Sequence, residues 1–304
     1  MKTQLIINPT SARGKMVKRW PRIEETLRAE NFPFEAAFTE RRGHATELAR
    51  AALDAGFDLV VAVGGDGTLN EVVNGMIADG KAVNPNAVLG VIPSGTGSDF
   101  VRTAGLPRDA VAAAQHLARA SGVCALDIGE IVYDAQGNQA RRYFANVAGM
   151  GFDAEVVSRL EQGGKRGGGT IPYLTALVTT ISSYTNKYVI LRIDEQAYAR
   201  RVNSVVICNG KYFGGGMRVG PNATLDDAKF DIVVLGDFST LEILTNTPKI
   251  YNGTHLALAK VSEYRGQVVS VESKQRMLIQ ADGELVGEAP ATFRVLPAAL
   301  KLRI

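Results

Sequence analysis

The sequence predicts two domains: an N-terminal α/β domain with a parallel sheet, residues 1–122, and a β-rich sandwich, residues 123–297. Three observations support this fold class. The length of 304 residues suits about two domains. Short apolar runs alternate with helical periodicities up to residue 122. After that point strand-like runs dominate, and their connections are rich in Gly, Asn and Asp.

The elements of the first domain follow from two periodicities. Continuous apolar runs, typical of strands covered on both faces, predict strands at 4–8, 34–39, 59–63 and 88–92. Apolar residues three and four positions apart predict helices at 45–53 and 69–77, and an alanine-rich segment predicts a third at 109–120. The loops after parallel strands collect at one edge of the sheet, where α/β folds bind ligands.

The elements of the second domain are mostly strands. They are predicted at 125–133, 142–148, 188–193, 202–208, 230–235, 267–271, 277–280 and 293–296. Two helices are predicted, near 171–184 and 240–251. This succession is typical of a β-sandwich with small helical additions.

Composition narrows the class of protein. The chain is 46% hydrophobic and 21% charged, as ordinary folded proteins are, and its net charge of +3 is too balanced for a dedicated nucleic-acid binder. Two cysteines, without metal-ligand spacing to the three histidines, fit a reducing cytosol, so we expect a cytoplasmic protein. No run resembles a secretory signal or reaches about 18 apolar residues, so we expect no transmembrane segment.

Three turns rich in Gly, Ser and Thr follow predicted strands, at 8–14, 64–68 and 93–99. The second leaves a buried strand and enters an amphipathic helix, where N–H groups and the helix dipole stabilise a phosphate. Its glycines allow close approach of a ligand, and Asp66 offers a carboxylate to Mg²⁺ or its waters. One such turn could be an ordinary strand–helix connection, but three together predict a phosphate site. None is a Walker A or dinucleotide-binding motif.

These residues resemble a known family. The matching stretches, in family order across nearly the whole chain, are Asn8-Pro9-Thr10-Ser11, Gly64-Gly65-Asp66-Gly67-Thr68-Leu69-Asn70-Glu71-Val72, Pro93-Ser94-Gly95-Thr96-Gly97-Ser98-Asp99-Phe100, Phe213-Gly214-Gly215-Gly216-Met217, Leu225-Asp226-Asp227 and Asp282-Gly283-Glu284. The chain resembles the diacylglycerol kinase catalytic domain family, including bacterial lipid kinases and, more distantly, sphingosine and ceramide kinases. It departs at Ser98, where the family usually has Asn.

The resemblance implies a nucleotide site. It places ATP between the two domains and returns the C-terminal strand, 298–304, to the first. The residues it assigns to ATP are Asn8, Pro9, Thr10, Ser11, Ala12, Arg13, Gly14, Thr39, Gly65, Asp66, Gly67, Thr68, Leu69, Asn70, Glu71 and Thr96. Thr39 is assigned by the resemblance alone.

Carboxylates carry the remaining chemistry. Asp66 and Asp99 would organise the catalytic Mg²⁺, and Lys15 or Arg13 could reach phosphates. Glu284 would take the proton from the lipid hydroxyl, with Asp282 beside it, although Asp-Gly is also the commonest hairpin signal.

A second Mg²⁺ site is implied at the Asp227 carboxylate and the main-chain carbonyls of Thr224 and Lys229. The adjacent acids of this stretch could equally form a plain acidic turn.

The function expected from these residues is ATP-dependent transfer of the γ-phosphate to a lipid hydroxyl, chiefly of diacylglycerol to give phosphatidic acid. Alternatives are a kinase of a sphingoid base or phosphatidylglycerol, an NAD kinase, or a nucleotide-binding regulator without catalysis. The lipid implies peripheral association with a membrane surface. The basic glycine-rich segment 163–169, with Lys165 and Arg166, is either a flexible loop or a lid at that surface. A homodimer is possible.

Overall fold

A computed structural model of the chain describes residues 1–94, 97–135, 137–162, 179–180 and 183–304. These residues form two compact units. Unit 1 comprises Met1–Ile128, Leu225–Asp227 and Leu296–Ile304, and unit 2 comprises Gly129–Thr224 and Ala228–Val295. The expected ATP contact at Thr96, the segment 163–169 and most of the predicted helix 171–184 lie outside the described residues.

Unit 1 is an α/β layer structure. Its elements are β1 (Thr3–Ile7), α1 (Ser11–Gly14), α2 (Met16–Ala29), β2 (Glu35–Phe38), α3 (His44–Asp54), β3 (Leu59–Gly64), α4 (Asp66–Met76), β4 (Ile77–Ala78), β5 (Lys81–Ala82), β6 (Val88–Pro93), α5 (Asp99–Thr103) and α6 (Ala110–Arg119). The strands β6, β3, β1 and β2 lie in that order and pair in parallel.

Helices cover both faces of this sheet. On one face, Leu5 and Val61 pack against Ile23 and Leu27 of α2 and Leu117 of α6. On the other, α3 and α4 lie against β1 and β3 and against each other. Burial on both faces explains why β1, β3 and β6 read as continuous apolar runs rather than as alternating patterns. The expectation of a strand covered on both faces at 34–39 is wrong, because β2 lies at the edge of the sheet and is mostly exposed.

Three helices of unit 1 were not predicted: the short α1 and α5, and the longer α2. The helix α2 contains Pro21, which lacks an N–H, and its buried residues Met16, Ile23 and Leu27 are widely spaced. The local pattern of apolar residues was therefore too weak to indicate a helix. Packing against the sheet stabilises it instead.

Unit 2 is rich in strands. Its elements are β7 (Val123–Ala135, which begins in unit 1), β8 (Asn138–Phe144), β9 (Val147–Gly151), α7 (Phe152–Gln162), β10 (Lys187–Ile193), β11 (Gln196–Val202), β12 (Ser204–Cys208), β13 (Phe230–Leu235), α8 (Thr240–Asn252), β14 (Val261–Gly266), β15 (Val268–Ser273), β16 (Leu278–Ala281), β17 (Glu284–Glu288) and β18 (Ala291–Arg303). Among the described residues, no helix is both long and apolar enough to span a membrane.

Two groups of strands enclose the core of unit 2. One is a six-stranded sheet in the order β14, β13, β12, β9, β16, β17, and the other contains β11, β10, β15 and β18. Phe144, Leu191, Ile207, Phe230 and Phe293 are fully buried in one cluster. The predicted fold class, a parallel-sheet α/β domain with a β-rich second domain, is confirmed.

The last strand, β18, begins in unit 2 and ends in unit 1. In unit 1, Lys301 and Leu302 pair in parallel with Val88 and Leu89 of β6. The single strand predicted at 142–148 is wrong, because an interruption at 145–146 separates β8 from β9. The strand predicted at 202–208 is confirmed over Ser204–Cys208 as β12, and a second interruption at Asn203 separates Val202 from it. At the first interruption the backbone N–H groups bind a side-chain carboxylate instead of a neighbouring strand.

Candidate active site

The loops at the carboxyl ends of β1, β3 and β6 are joined by side-chain hydrogen bonds. Asn8 Nδ2 donates to Thr68 Oγ1 at 3.0 Å, which ties the loop after β1 to the loop after β3. The hydroxyls of Ser11 and Ser94 lie 2.6 Å apart, which ties the first loop to the end of β6. Two of the three predicted loops therefore meet directly, and the described beginning of the third meets the first.

The helix α4 begins within this cluster and carries the features of a phosphate cradle. Gly65 precedes it in extended conformation, and no side chain caps its first turn. A Cβ on Gly64 would lie 2.6 Å from the Cβ of Thr68, so the backbone can take this path only with glycine there. The uncapped N–H groups and the helix dipole suit an anionic oxygen.

Asp66 is the first residue of α4. Its carboxylate accepts hydrogen bonds at 3.4 Å from the backbone N–H groups of Asp99 and Phe100 at the start of α5. Burial raises the pKa of Asp66, and these N–H groups lower it in part. Asp99 is 4% exposed, and its carboxylate lies 3.8 Å from Arg102 Nε. The structure therefore brings Asp66 and Asp99 together, and their hard oxygen atoms are the ligand type that Mg²⁺ prefers.

Other residues expected to contact ATP have partners that define their position. Glu71 accepts hydrogen bonds from the N–H groups of Gly43 and Ala45 at 2.9 and 3.1 Å and so caps the start of α3. Asn70 is fully buried. Thr39 follows β2, and its N–H donates to the carbonyl of Ile7. These contacts fix the surroundings of the loops, and Thr39 and Glu71 are half-buried like Gly65 and Gly67 of the glycine turn.

The loop after β1 bends through an unusual backbone. Ala12 and Arg13 have φ of 51° and 61°, and Gly14 continues at 75°. Such left-handed residues are rare outside glycine. The Arg13 and Lys15 side chains are exposed at this bend.

The Asp282 carboxylate binds three backbone N–H groups of unit 2. Its Oδ1 accepts hydrogen bonds from the N–H groups of Asn146 and Val147 at 3.0 Å, and its Oδ2 accepts one from Ala145 at 2.9 Å. Asp282 and Gly283, with φ of 49° and 82°, form the two-residue turn between β16 and β17. Asp282 and Gly283 thus form the hairpin turn that their sequence predicts, and the Asp282 carboxylate also fixes the segment 145–147.

Glu284 follows this turn directly. Its Oε2 lies 3.4 Å from Arg142 Nη2, and its side chain is 13% exposed. The guanidinium holds this carboxylate on one side. A carboxylate that is fixed in this way and has partial access to solvent can accept a proton from a bound hydroxyl.

The residues expected to hold a second Mg²⁺ lie in the turn before β13. Thr224 and Lys229 are exposed, Asp227 is half-buried, and Ala228 has φ of 58°. Among the described residues there is no group of three His, Cys, Asp or Glu side chains placed to hold a metal. A site here would use a single carboxylate with main-chain carbonyls and water, which Mg²⁺ accepts.

Sequence reasoning missed several buried polar residues of unit 2. Asp153, at the start of α7, accepts a hydrogen bond from Gln280 Nε2 at 3.0 Å, and burial raises its pKa. Asn146 and Asn209 donate to the carbonyls of Tyr212 and Ala145 at 2.6 and 2.7 Å. The two glycines at the end of β9, Gly149 and Gly151, just before α7 were the available signal for Asp153.

These features define a class of protein: an α/β unit with a glycine turn at its sheet edge, followed by a β-rich unit. Comparison with known proteins agrees. The pattern of the diacylglycerol kinase catalytic domain matches residues 2–131, and that of the YegS C-terminal NAD kinase beta sandwich-like domain matches residues 146–304. The chain belongs to the diacylglycerol kinase family.

Individual relatives extend over nearly the whole chain. A diacylglycerol kinase of Staphylococcus haemolyticus is 30% identical over 95% of this chain and 84% of its own length. One of Bacillus subtilis is 27% identical, over 96% and 92%. A crystal structure of a diacylglycerol kinase from Bacillus anthracis has a TM-score of 0.73 at 21% identity and covers 99% of this chain and 96% of its own. The family makes this chain a transferase of the lipid kinase type.

Proposed function

We propose that this protein transfers the γ-phosphate of ATP to the hydroxyl of diacylglycerol and so forms phosphatidic acid. The observation that carries the proposal is the uncapped start of α4, with the crowded Gly64–Thr68 contact and with the Asp66 carboxylate bonded to the backbone N–H of Asp99. The sequence motifs and the relatives named diacylglycerol kinase support the choice of acceptor.

The residues of unit 1 would bind and orient the nucleotide. The N–H groups of Asp66 and Gly67 would face its phosphates, and Asn8 and Thr68 would hold the loops in place. Lys15 or Arg13 would neutralise phosphate charge from the bend after β1. Asp66 and Asp99 would hold Mg²⁺, directly or through water. With ATP·Mg²⁺ bound, the complex supplies the phosphoryl group and neutralises the charge that develops on it.

Glu284 would act on the acceptor. As the lipid oxygen forms its bond to the γ-phosphorus, the bond to the β-phosphate oxygen breaks and the hydroxyl proton passes to the Glu284 carboxylate. Arg142 would orient that carboxylate. Asp282 would act through the backbone that it fixes at 145–147 rather than by touching substrate.

Two further parts of the proposal concern metal and membrane. Asp227, with the carbonyls of Thr224 and Lys229, would hold a structural Mg²⁺ that orders the turn before β13. A lipid acceptor requires the protein to work at a membrane surface, to which cations such as Lys165 and Arg166 would contribute.

Phosphoryl transfer to several acceptors in parallel tests the proposal. Radiolabelled γ-phosphate would be offered with diacylglycerol, sphingosine, phosphatidylglycerol and NAD, each with wild type and Asp66→Asn. We expect labelled phosphatidic acid from wild type alone. Preferential labelling of NAD would contradict the proposed acceptor, and no labelling of any acceptor would contradict the proposed activity.

A further inference from the structure

Unit 1 contains a second cluster of positive charge, on α2 and before α6. It adjoins the nucleotide loops only at Ser94, whose N–H donates to the carbonyl of Gly64 and whose hydroxyl meets that of Ser11. A cavity of about 250 Å³ is lined by Arg19, Arg22, Ser94, Arg108, Asp109, Ala110 and Val111. It lies where α2 and α6 pack together, at the first turn of α6. Three arginines from two chain segments thus surround one depression.

The charge of this cavity is unbalanced. The lining contains three guanidinium groups and one carboxylate, that of Asp109. This carboxylate is occupied as the cap of α6, because Asp109 Oδ1 accepts hydrogen bonds from the N–H groups of Val111 and Ala112 at 3.1 and 3.0 Å. Within the part of the chain that the structure describes, the Arg22 and Arg108 side chains have no ion pair.

One arginine is already positioned. Arg19 Nη1 donates to the carbonyl of Ser94 at 3.3 Å, and Ser94 is 3% exposed. The bond uses one of the five N–H groups of a guanidinium, so the others remain for a ligand. The positive end of the α6 dipole adds to the same field, because the cavity is lined by the first two residues of that helix.

We propose that this cavity binds a phosphate group of a small ligand, in addition to the nucleotide held at α4. Guanidinium groups bind phosphate through paired, charge-assisted hydrogen bonds, and three arginines line this one cavity. The volume is below the roughly 300–1,000 Å³ of a typical pocket for a drug-sized molecule, so it suits a headgroup rather than a whole nucleotide.

Two sources could supply this phosphate: a soluble phosphate ester, or the headgroup of an anionic phospholipid at the membrane. The experiment separates them. In the first arm, binding of inorganic phosphate and of glycerol 3-phosphate to the full chain is measured by calorimetry, with and without saturating ADP. In the second, the protein is sedimented with phosphatidylcholine vesicles that either contain or lack phosphatidylglycerol.

The variants are Arg22→Gln and Arg108→Gln, both at exposed positions. The matched control is Arg28→Gln, which removes the same charge from α2 at a side chain bound to Glu24, outside the cavity. We expect binding in at least one arm to weaken about tenfold or more in each cavity variant, equivalent to about 1.4 kcal/mol, and to persist in the control. Weakening in the first arm identifies a soluble ester, and weakening in the second alone identifies a phospholipid headgroup.

Four results would overturn the proposal: no binding in either arm, binding that the cavity variants do not weaken, equal weakening in the control, or displacement of phosphate by ADP. The last would assign the phosphate to the nucleotide site. The measurement does not depend on kinase activity, since a chain that transfers no phosphate to diacylglycerol could still bind phosphate through Arg22 and Arg108.

Discussion

Asp282 and Glu284 are two residues apart, but the structure assigns them different contacts, so paired substitutions should separate their roles. Asp282→Ala removes the acceptor of three backbone N–H groups, at Ala145, Asn146 and Val147. Glu284→Gln alters one partly exposed contact with Arg142 at 3.4 Å. The first change should affect stability, and the second should affect catalysis.

The magnitudes follow from these contacts. A hydrogen bond to a charged group contributes about 1.5–3 kcal/mol, and water can replace part of it where the carboxylate is half-buried. Taking about 1 kcal/mol for each of the three bonds, we expect Asp282→Ala to lower the free energy of unfolding by about 3 kcal/mol. At about 2–4 °C per kcal/mol, Tm falls by about 6–12 °C. Glu284→Gln should change stability by less than about 1 kcal/mol.

Thermal melts and single-turnover kinetics on the same preparations form the assay. Glu284→Gln should lower the rate of phosphoryl transfer about 10²–10⁴-fold without weakening ATP binding. Asp282→Asn is the matched control, because it keeps an oxygen for Asn146 and Val147 and should melt between wild type and Asp282→Ala. Two results would refute these roles: an Asp282→Ala variant with the same Tm as wild type, or a Glu284→Gln variant with a lowered Tm and an unchanged rate of phosphoryl transfer.

Three further predictions concern other parts of the site. Gly64→Ala should displace Thr68, break its bond with Asn8 and weaken nucleotide binding in titrations, and unchanged affinity would contradict the close approach proposed there. Because burial raises the pKa of Asp66 above its ordinary 3.8, its ionisation opposes folding as pH rises above 3.8. Urea unfolding without metal should therefore show Asp66→Asn gaining stability over wild type above that pH and not below it, whereas a gap independent of pH would contradict the assignment. Asp227→Ala should lose the Mg²⁺-dependent rise in Tm of wild type, a stabilisation of about 2.7 kcal/mol at a hundredfold excess over the dissociation constant, and a full rise in the variant would place the metal elsewhere.

The fold of unit 1 could be predicted because its strands are local patterns. The residues of β1, β3 and β6 are buried on both faces, so each strand is a short apolar run that stands out in the sequence. The helix α2 could not be predicted, because its apolar residues are widely spaced around Pro21 and its stability comes from packing. Patterns identify elements that bury a regular face, and they miss those that depend on tertiary contacts.

The candidate site likewise contains residues that a local pattern indicates and residues that depend on contacts between distant segments. The turn at Gly64–Thr68 could be found because glycine, a carboxylate and a helix start occur together in the sequence. The link between Asp282 and the N–H groups at 145–147 spans more than 130 residues, so no local pattern contains it. The same holds for Asp153 and Gln280, and for the arginine cavity between α2 and α6, whose lining residues come from distant segments.

Ser98 stands where the family usually has Asn, and the structure shows which backbone conformation this position adopts. It has φ of 50° immediately before Asp99. Asn adopts this left-handed conformation more readily than Ser, so the family's usual residue suits the backbone found here. The backbone N–H of Asp99, the next residue, donates to the Asp66 carboxylate.

Phosphoryl transfer from a preformed nucleotide complex tests the central claim most directly. Wild type and Asp66→Asn would be loaded with radiolabelled ATP and Mg²⁺, nucleotide binding would be verified for each, and vesicles containing diacylglycerol would then be added for a single turnover. We predict labelled phosphatidic acid from wild type and at least a tenfold lower rate from Asp66→Asn, a loss of about 1.4 kcal/mol or more in transition-state stabilisation. Equal rates from the two proteins, or label that stays in ATP with wild type, would contradict the account.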